Sequence, residues 1–322
     1  MRRPPSESLF PAWVLPTALA LGVIAVAFAS SSGWITGYQR FVIISVAVNV
    51  ILCASLNLVN GYMGEFSVGH AAFMSLGAYA SALITSKWLA LMPTPASFAI
   101  AIIFGGAIAG FVGFLLGLLS FKTRGDYLAI ITLAFLMIVK SAFENIPFVG
   151  GPSGMVVRPL TQPAVACAVA ILALWIMRNL IYSKYGRAIA AIREDEIAAN
   201  AMGVRTREAK IVAFATSSFF GGVAGALYAH QVGFIEPSSF GITRSTEILV
   251  MVYLGGVASL TGSVLGAVIF TILLQALQGL GTWRWVILPT ILVLLMLYRP
   301  RGIFGFRELR AFLPRLRPTP RA

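Results

Sequence analysis

Charge is what this chain has least of. Its 11 acidic and 24 basic residues fill 11% of 322 positions, against about 25% in soluble domains. There are two histidines, two aspartates and two cysteines. That scarcity excludes whole classes of chemistry. Neither an HExxH pair nor a GxxxxGK[ST] loop occurs, so the chain has no zincin machinery and no nucleotide-hydrolysing loop of its own. Cys53 and Cys167 lie inside apolar runs, with no CxxC or CxxH neighbour. They read as small packing residues, not metal ligands or a disulfide framework.

Apolar residues, by contrast, make up 58% of the sequence, and the mean hydropathy is +0.88. One buried core does not absorb that much apolar surface, and lipid must cover the excess. At about 20 residues per span, the length allows roughly eight to ten helices. Ten apolar runs can be read, near 13–29, 41–60, 66–85, 96–120, 127–143, 163–182, 209–231, 245–259, 262–277 and 285–298. The expected fold is an all-α integral membrane protein, a polytopic bundle of about ten spans. Residues 1–12 form a cytoplasmic N-terminus, 13–298 the membrane domain with a long loop at 183–208, and 299–322 a basic cytoplasmic tail. Asn60-Gly61-Tyr62-Met63-Gly64-Glu65 interrupts the second and third runs, and Ser259-Leu260-Thr261-Gly262 the eighth and ninth. Such breaks imply half-helices or re-entrant segments, because non-helical backbone survives at membrane depth only where protein or a water-filled cavity satisfies it.

The formal net charge of +13 would suggest a nucleic-acid partner in a soluble protein. No nucleic-acid motif accompanies it, and the basic residues cluster between apolar runs. Ten alternating spans with Arg2 and Arg3 inside also place inside Lys122, Arg124, the 183–208 loop and the tail from Arg299. Only Arg40, Lys87, Arg158, Arg244 and Arg284 then lie outside, which satisfies the positive-inside rule. Arg2, Arg3 and Ala27-Phe28-Ala29 also resemble a secretory signal; an uncleaved first helix is the simpler expectation in a chain that spans the membrane anyway.

Two segments stand out as functional. In the first, Gly64, Glu65, Ser67, Gly69 and His70 cluster at a break between runs. Polar groups there usually face a pathway, although a wetted cytoplasmic loop would look the same. In the second, Glu194, Asp195 and Glu196 precede Ile197, Ala198, Ala199, Asn200, Ala201, Met202 and Gly203. First-turn acids and a closing glycine predict one short helix. Its apolar positions suit either a docking peg for a cytoplasmic partner or a helix lying on headgroups. Asp126 reads as an N-cap, Lys140 and Glu144 as an i,i+4 pair, and His230 and Glu247 as interfacial. Gly151-Pro152-Ser153-Gly154 matches the GxSG of rhomboid-like intramembrane proteases, with His230 as the one distal base. Its Pro/Gly-rich outer-loop context argues against that reading.

The stretches Gly61–Tyr79, Arg124–Phe135, Gly150–Gly154, Tyr185–Gly203, Gly225–His230 and Gly255–Gly262 together resemble the LivM-type permeases of branched-chain amino-acid ABC transporters. The resemblance implies a bacterial inner-membrane subunit that is not itself an enzyme and binds no cofactor. It implies a LivH-like second permease, two LivG/LivF-like ATPases that carry ATP and magnesium, and a periplasmic binding protein. It implies that Glu194–Gly203 docks in the ATPase. Many relatives carry an uncharged residue where Glu65 stands, and related permeases carry urea or other small amides and carboxylates.

Overall fold

The computed structural model of the chain describes residues 36–88, 94–121, 127–283 and 290. The expected first span, the Asp126 cap, the run 285–298 and the basic tail lie outside the described residues. Helix α1 (Gly37–Asn57) opens on a capping box, in which Thr36 and Gln39 each bond the other's backbone N–H. This satisfies two of the amides a helix start leaves orphaned. It continues through one π-helical turn, Leu58–Met63. The chain then runs without helix to α2 (His70–Leu83), which ends in a π turn at Ile84–Trp88. There follow α3 (Thr94–Ser120), α4 (Tyr127–Asn145), α5 (Pro163–Tyr182), α6 (Lys184–Glu194), α7 (Glu196–Ala201), α8 (Thr206–Val232), α9 (Ile242–Gly255) and α10 (Leu260–Ala276).

Six of these stretches are long and apolar enough to cross a membrane: Gly37–Met63, Ala96–Ser120, Tyr127–Asn145, Pro163–Tyr182, Thr206–Val232 and Leu260–Gly279. They differ in where they sit. The Gly37–Met63 and Thr206–Val232 windows are 78% and 72% buried, whereas those of α4 and α5 are 22% buried. Thus α1 and α8 are the axis, and α4 and α5 the rim. The rim carries Ile130, Ile138, Leu172 and Trp175 outward, an apolar surface that only lipid or another subunit covers. Small residues bring α2, α3 and α8 together. A Cβ on Gly77 of α2 would lie 2.1 Å from the Gly222 carbonyl oxygen of α8, and one on Gly105 of α3 would lie 2.7 Å from that of Gly77. Backbones this close need glycine at the crossing, the usual device where lipid gives no hydrophobic drive to helix pairing.

The bundle has two distinct ends. Arg207 bonds the Leu118 carbonyl at one end, and Phe121 meets Phe214 edge-on there. The same end carries α6 and α7. At the other end Gln231 bonds Phe41 and Ser45, Thr161 bonds the Leu227 carbonyl, and two-residue strands β1 (Met155–Val156) and β2 (Phe234–Ile235) pair antiparallel. This small ribbon departs from an all-helical expectation.

The sequence suggests one helix over Glu194–Gly203, but the structure has two. Glu194 is the last residue of α6, and Asp195 is extended (φ −161°). The Asp195 carboxylate accepts from the amides of Ile197 and Ala198 at 2.8 and 2.9 Å. As an N-cap, Asp195 restarts the helix instead of joining its first turn. The stop is as expected: Gly203, at φ +83°, lies just past α7.

Candidate functional site

Two breaks and one short helix converge at the α6–α7 end. The first break is Gly64–Gly69. Gly64 turns the chain in the left-handed region (φ +79°), and a Cβ there would lie 3.0 Å from Arg193 Cγ of α6. Glycine therefore serves both the turn and the close approach. Asn60, inside the π turn, holds the break: its Nδ2 donates to the Ser67 carbonyl and its Oδ1 accepts from the Ser67 amide, both at 3.2 Å. Thr132 of α4 accepts from the Val68 amide, and Ser245 of α9 donates to the Val68 carbonyl. The backbone groups of Ser67 and Val68 thus find partners in protein.

The second break is Gly256–Ser259. Asn57, one turn before Asn60, closes it. Its Nδ2 contacts the Gly256 carbonyl, the Ser259 carbonyl and Ser263 Oγ at 3.3, 3.0 and 2.7 Å, and its Oδ1 accepts from the Ala258 amide at 2.9 Å. Ala258 has φ +59°, a conformation that strains an L-residue. One end of α1 therefore clasps both interruptions.

The sequence-selected residues separate into two groups. Ser67, Gly69 and His70 are buried, with His70 Nε2 2.8 Å from Ser55 Oγ and Gly69 pressed on the Thr132 backbone. Gly64 and Glu65 reach the surface. Glu65 has an unforeseen partner. Lys210 of α8, its side chain 7% exposed, places Nζ 2.5 Å from Glu65 Oε1 and 2.7 Å from Glu196 Oε2. Phe121 lies 5.8 Å from the ammonium. One lysine thereby ties the first break to the first residue of α7. The separations, 145 and 14 residues, gave no signal beyond a lone cation in an apolar run. On α7 itself, Ala199 is buried, while Ile197 and Met202 are 83% and 85% exposed.

Other expectations resolve plainly. Lys140 and Glu144 pair at 3.7 Å. Ser153 is exposed on a 3-10 turn, whereas His230 is fully buried, with its Nδ1 2.8 Å from the Arg158 carbonyl. Serine and histidine are not joined among the described residues, so the arrangement lacks a protease's nucleophile–base bond. Glu247 has a partner within its own helix. It binds Arg244 at 2.8 Å, and Arg244 reaches Asn49 of α1 at 2.8 Å.

Residues 40–297 match the family model described as branched-chain amino acid transport system / permease component. The chain is 30% identical to the high-affinity branched-chain amino acid transport system permease protein LivM of Escherichia coli K12 over 294 positions, 80% of this chain and 67% of that protein. It is 32% identical to E. coli K12 LivH over 152 positions, 46% and 49% of the two chains. It is 33% identical to the autoinducer 2 import system permease protein LsrC of E. coli O9:H4 over 116 positions, 36% and 31%. No solved structure matches.

Proposed function

Because the chain belongs to the branched-chain amino acid transport system permease family, we propose that it is one permease of an ATP-driven importer of branched-chain amino acids. The observation that carries the mechanism is the pairing of an exposed apolar cap, Ile197 and Met202, with a buried ionic link from Glu196 through Lys210 to Glu65. A cap of that kind suits docking by a separate ATPase. The link hands its displacement to the Gly64–Gly69 break. Gly64 and Glu65 stand at the inner mouth of the path, and Ser67, Gly69 and His70 hold its shape.

The remaining assembly follows from this reading. A LivH-like permease covers the lipid-free part of the apolar surface. Two LivG/LivF-like ATPases bind ATP and magnesium, and a periplasmic binding protein delivers solute at the β1–β2 end. The chain lies in the bacterial inner membrane and spans it about ten times. Both termini are cytoplasmic, on the side that carries Lys184, Arg187, Arg193, Arg205 and Arg207. Closure of the ATPases moves α7, and the two permeases rock between outward and inward access.

Uptake of leucine by the reconstituted importer tests the function. Ile197→Asp with Met202→Asp is expected to abolish copurification of the ATPases while the permease still inserts. Normal uptake by that variant would exclude docking at α7. The likeness to LsrC favours a second reading of the solute alone, in which a related permease carries another small polar molecule, urea and small carboxylates included.

A further inference from the structure

A guanidinium and a carboxylate sit at half height in the bundle. Arg244 Nη2 meets Asn49 Oδ1 at 2.8 Å, and Asn49 Nδ2 donates to Thr271 Oγ1 at 2.8 Å. Asn49 is the thirteenth residue of the 27-residue stretch Gly37–Met63, and Thr271 the twelfth of the 20 in Leu260–Gly279. The head of Arg244 therefore lies near the middle of two crossing helices. Charges at that depth are costly, and where they persist they usually mark a solute or ion path. Transport sites also lie near the midplane, at broken helices, and α9, which carries this pair, is bounded by the Gly256–Ser259 break.

The local detail points to a site that holds its groups ready. Asn49 is fixed by Thr271 and so presents its carbonyl oxygen to Arg244. Arg244 and Glu247 are one turn apart at 2.8 Å, and their side chains keep 18% and 15% of their surface open. Arg244 Nε–H is buried without an acceptor among the described residues. A wall of rings stands beside it. Tyr228 lies 5.8 Å from the guanidinium, Phe240 packs edge-on against Tyr228, and Tyr79 lies against Phe240 at 6.2 Å. The Tyr79 hydroxyl is also buried with no partner among the described residues.

We propose that Arg244 and Glu247 are the zwitterion site of the path. The guanidinium takes the α-carboxylate of an amino acid, Glu247 takes its α-ammonium, and the part-exposed Tyr228 ring, backed by the buried Phe240 and Tyr79, borders its apolar side chain. Between turnovers the two residues neutralise each other; the solute replaces each charge with its own, so no unpaired charge is left at mid-depth. The site rests on the importer reading above and adds the contact residues to it.

A variant without either charge separates this from a purely structural pair. Arg244→Gln with Glu247→Gln leaves no uncompensated charge, so a pair that only joins α9 to α1 is dispensable. The whole importer, with its partner permease, ATPases and binding protein, is reconstituted in liposomes with L-leucine as probe. The double variant is expected to move less than one-tenth of the wild-type leucine per ATP hydrolysed, and Arg244→Lys to recover part of the loss. Leucine per ATP within twofold of wild type overturns the site. A second measurement uses the wild-type permease pair in nanodiscs. Leucine should slow hydrogen exchange over residues 242–250, and unchanged exchange there also overturns the proposal. If the wild-type importer moves no amino acid, the importer reading itself fails; an active wild type beside an unimpaired double variant rejects the site alone.

Discussion

Replacing Lys210 with methionine keeps the stem of the side chain and removes its charge, leaving Glu65 and Glu196 facing each other without a cation. Breaking a buried ion pair by deleting one partner costs about 3–5 kcal/mol. The two arms are not equal here. Glu65 is 20% exposed and 2.5 Å from the ammonium, whereas Glu196 is 51% exposed at 2.7 Å. An exposed arm is worth about 0–1 kcal/mol, so nearly all of the loss belongs to Glu65. A total near 3 kcal/mol corresponds to a fall of roughly 6–12 °C in melting temperature for a chain of about 150–250 residues, and to the lower end of that range at 322 residues. Thermal unfolding of the purified permease, followed by a thiol-reactive dye on its native cysteines, measures the shift. The expected order of destabilisation is Lys210→Met, then Glu65→Gln, then Glu196→Gln by a degree or two. If Glu196→Gln destabilises as much as Glu65→Gln, the division of the link by burial is wrong. An unchanged melting temperature for Lys210→Met would refute the link as a source of stability.

Further outcomes follow from the two breaks and the helix crossing. Asn57→Ala strips four polar contacts from the Gly256–Ser259 break and leaves buried backbone groups bare, at about 1–3 kcal/mol each; loss of stable protein from detergent extracts is expected, and an unaltered yield would argue against the clasp. Ala258→Gly should raise the melting point slightly, since glycine takes φ +59° without the roughly 1–2 kcal/mol penalty of an L-residue; a clear fall would mean that the alanine methyl packs in a way that matters more. Gly222→Leu pushes a side chain into the Ala109 methyl and the Gly105 and Gly106 backbone of α3 and should prevent assembly, read as loss of a monodisperse peak on size exclusion.

Much of the framework was legible in the sequence. Hydropathy marked the long helices, and Asn, Gly and Ser clusters marked both interruptions, because broken backbone needs those residue types. The closures were not legible. Asn57 and Asn60 stand at the end of an apolar run, where a lone amide gives no hint of its partner, seven residues on for Asn60 and about two hundred for Asn57. Lys210 carried no sequence signal for its two carboxylate partners. The Arg244–Glu247 pair and its bond to Asn49 were not legible either, since residues 233–241, with Pro237 and Phe240 buried, bring Arg244 to a helix 195 positions away in sequence. The Glu194–Gly203 helix was placed correctly but started too early, since an aspartate that caps and an aspartate that joins a first turn look alike in a string of acids.

The two amides at the end of α1 are phased by the π turn Leu58–Met63, a wider coil than the α-helix before it. Asn57 stands just before that turn and Asn60 inside it, so the turn acts as a gear between the interruptions. Deleting one residue within it would return the coil to α-helical pitch and swing Asn60 away from Ser67 while leaving Asn57 on Ser263. The turn thus synchronises two hairpins far apart in sequence, and a single-residue deletion is expected to free one from the other.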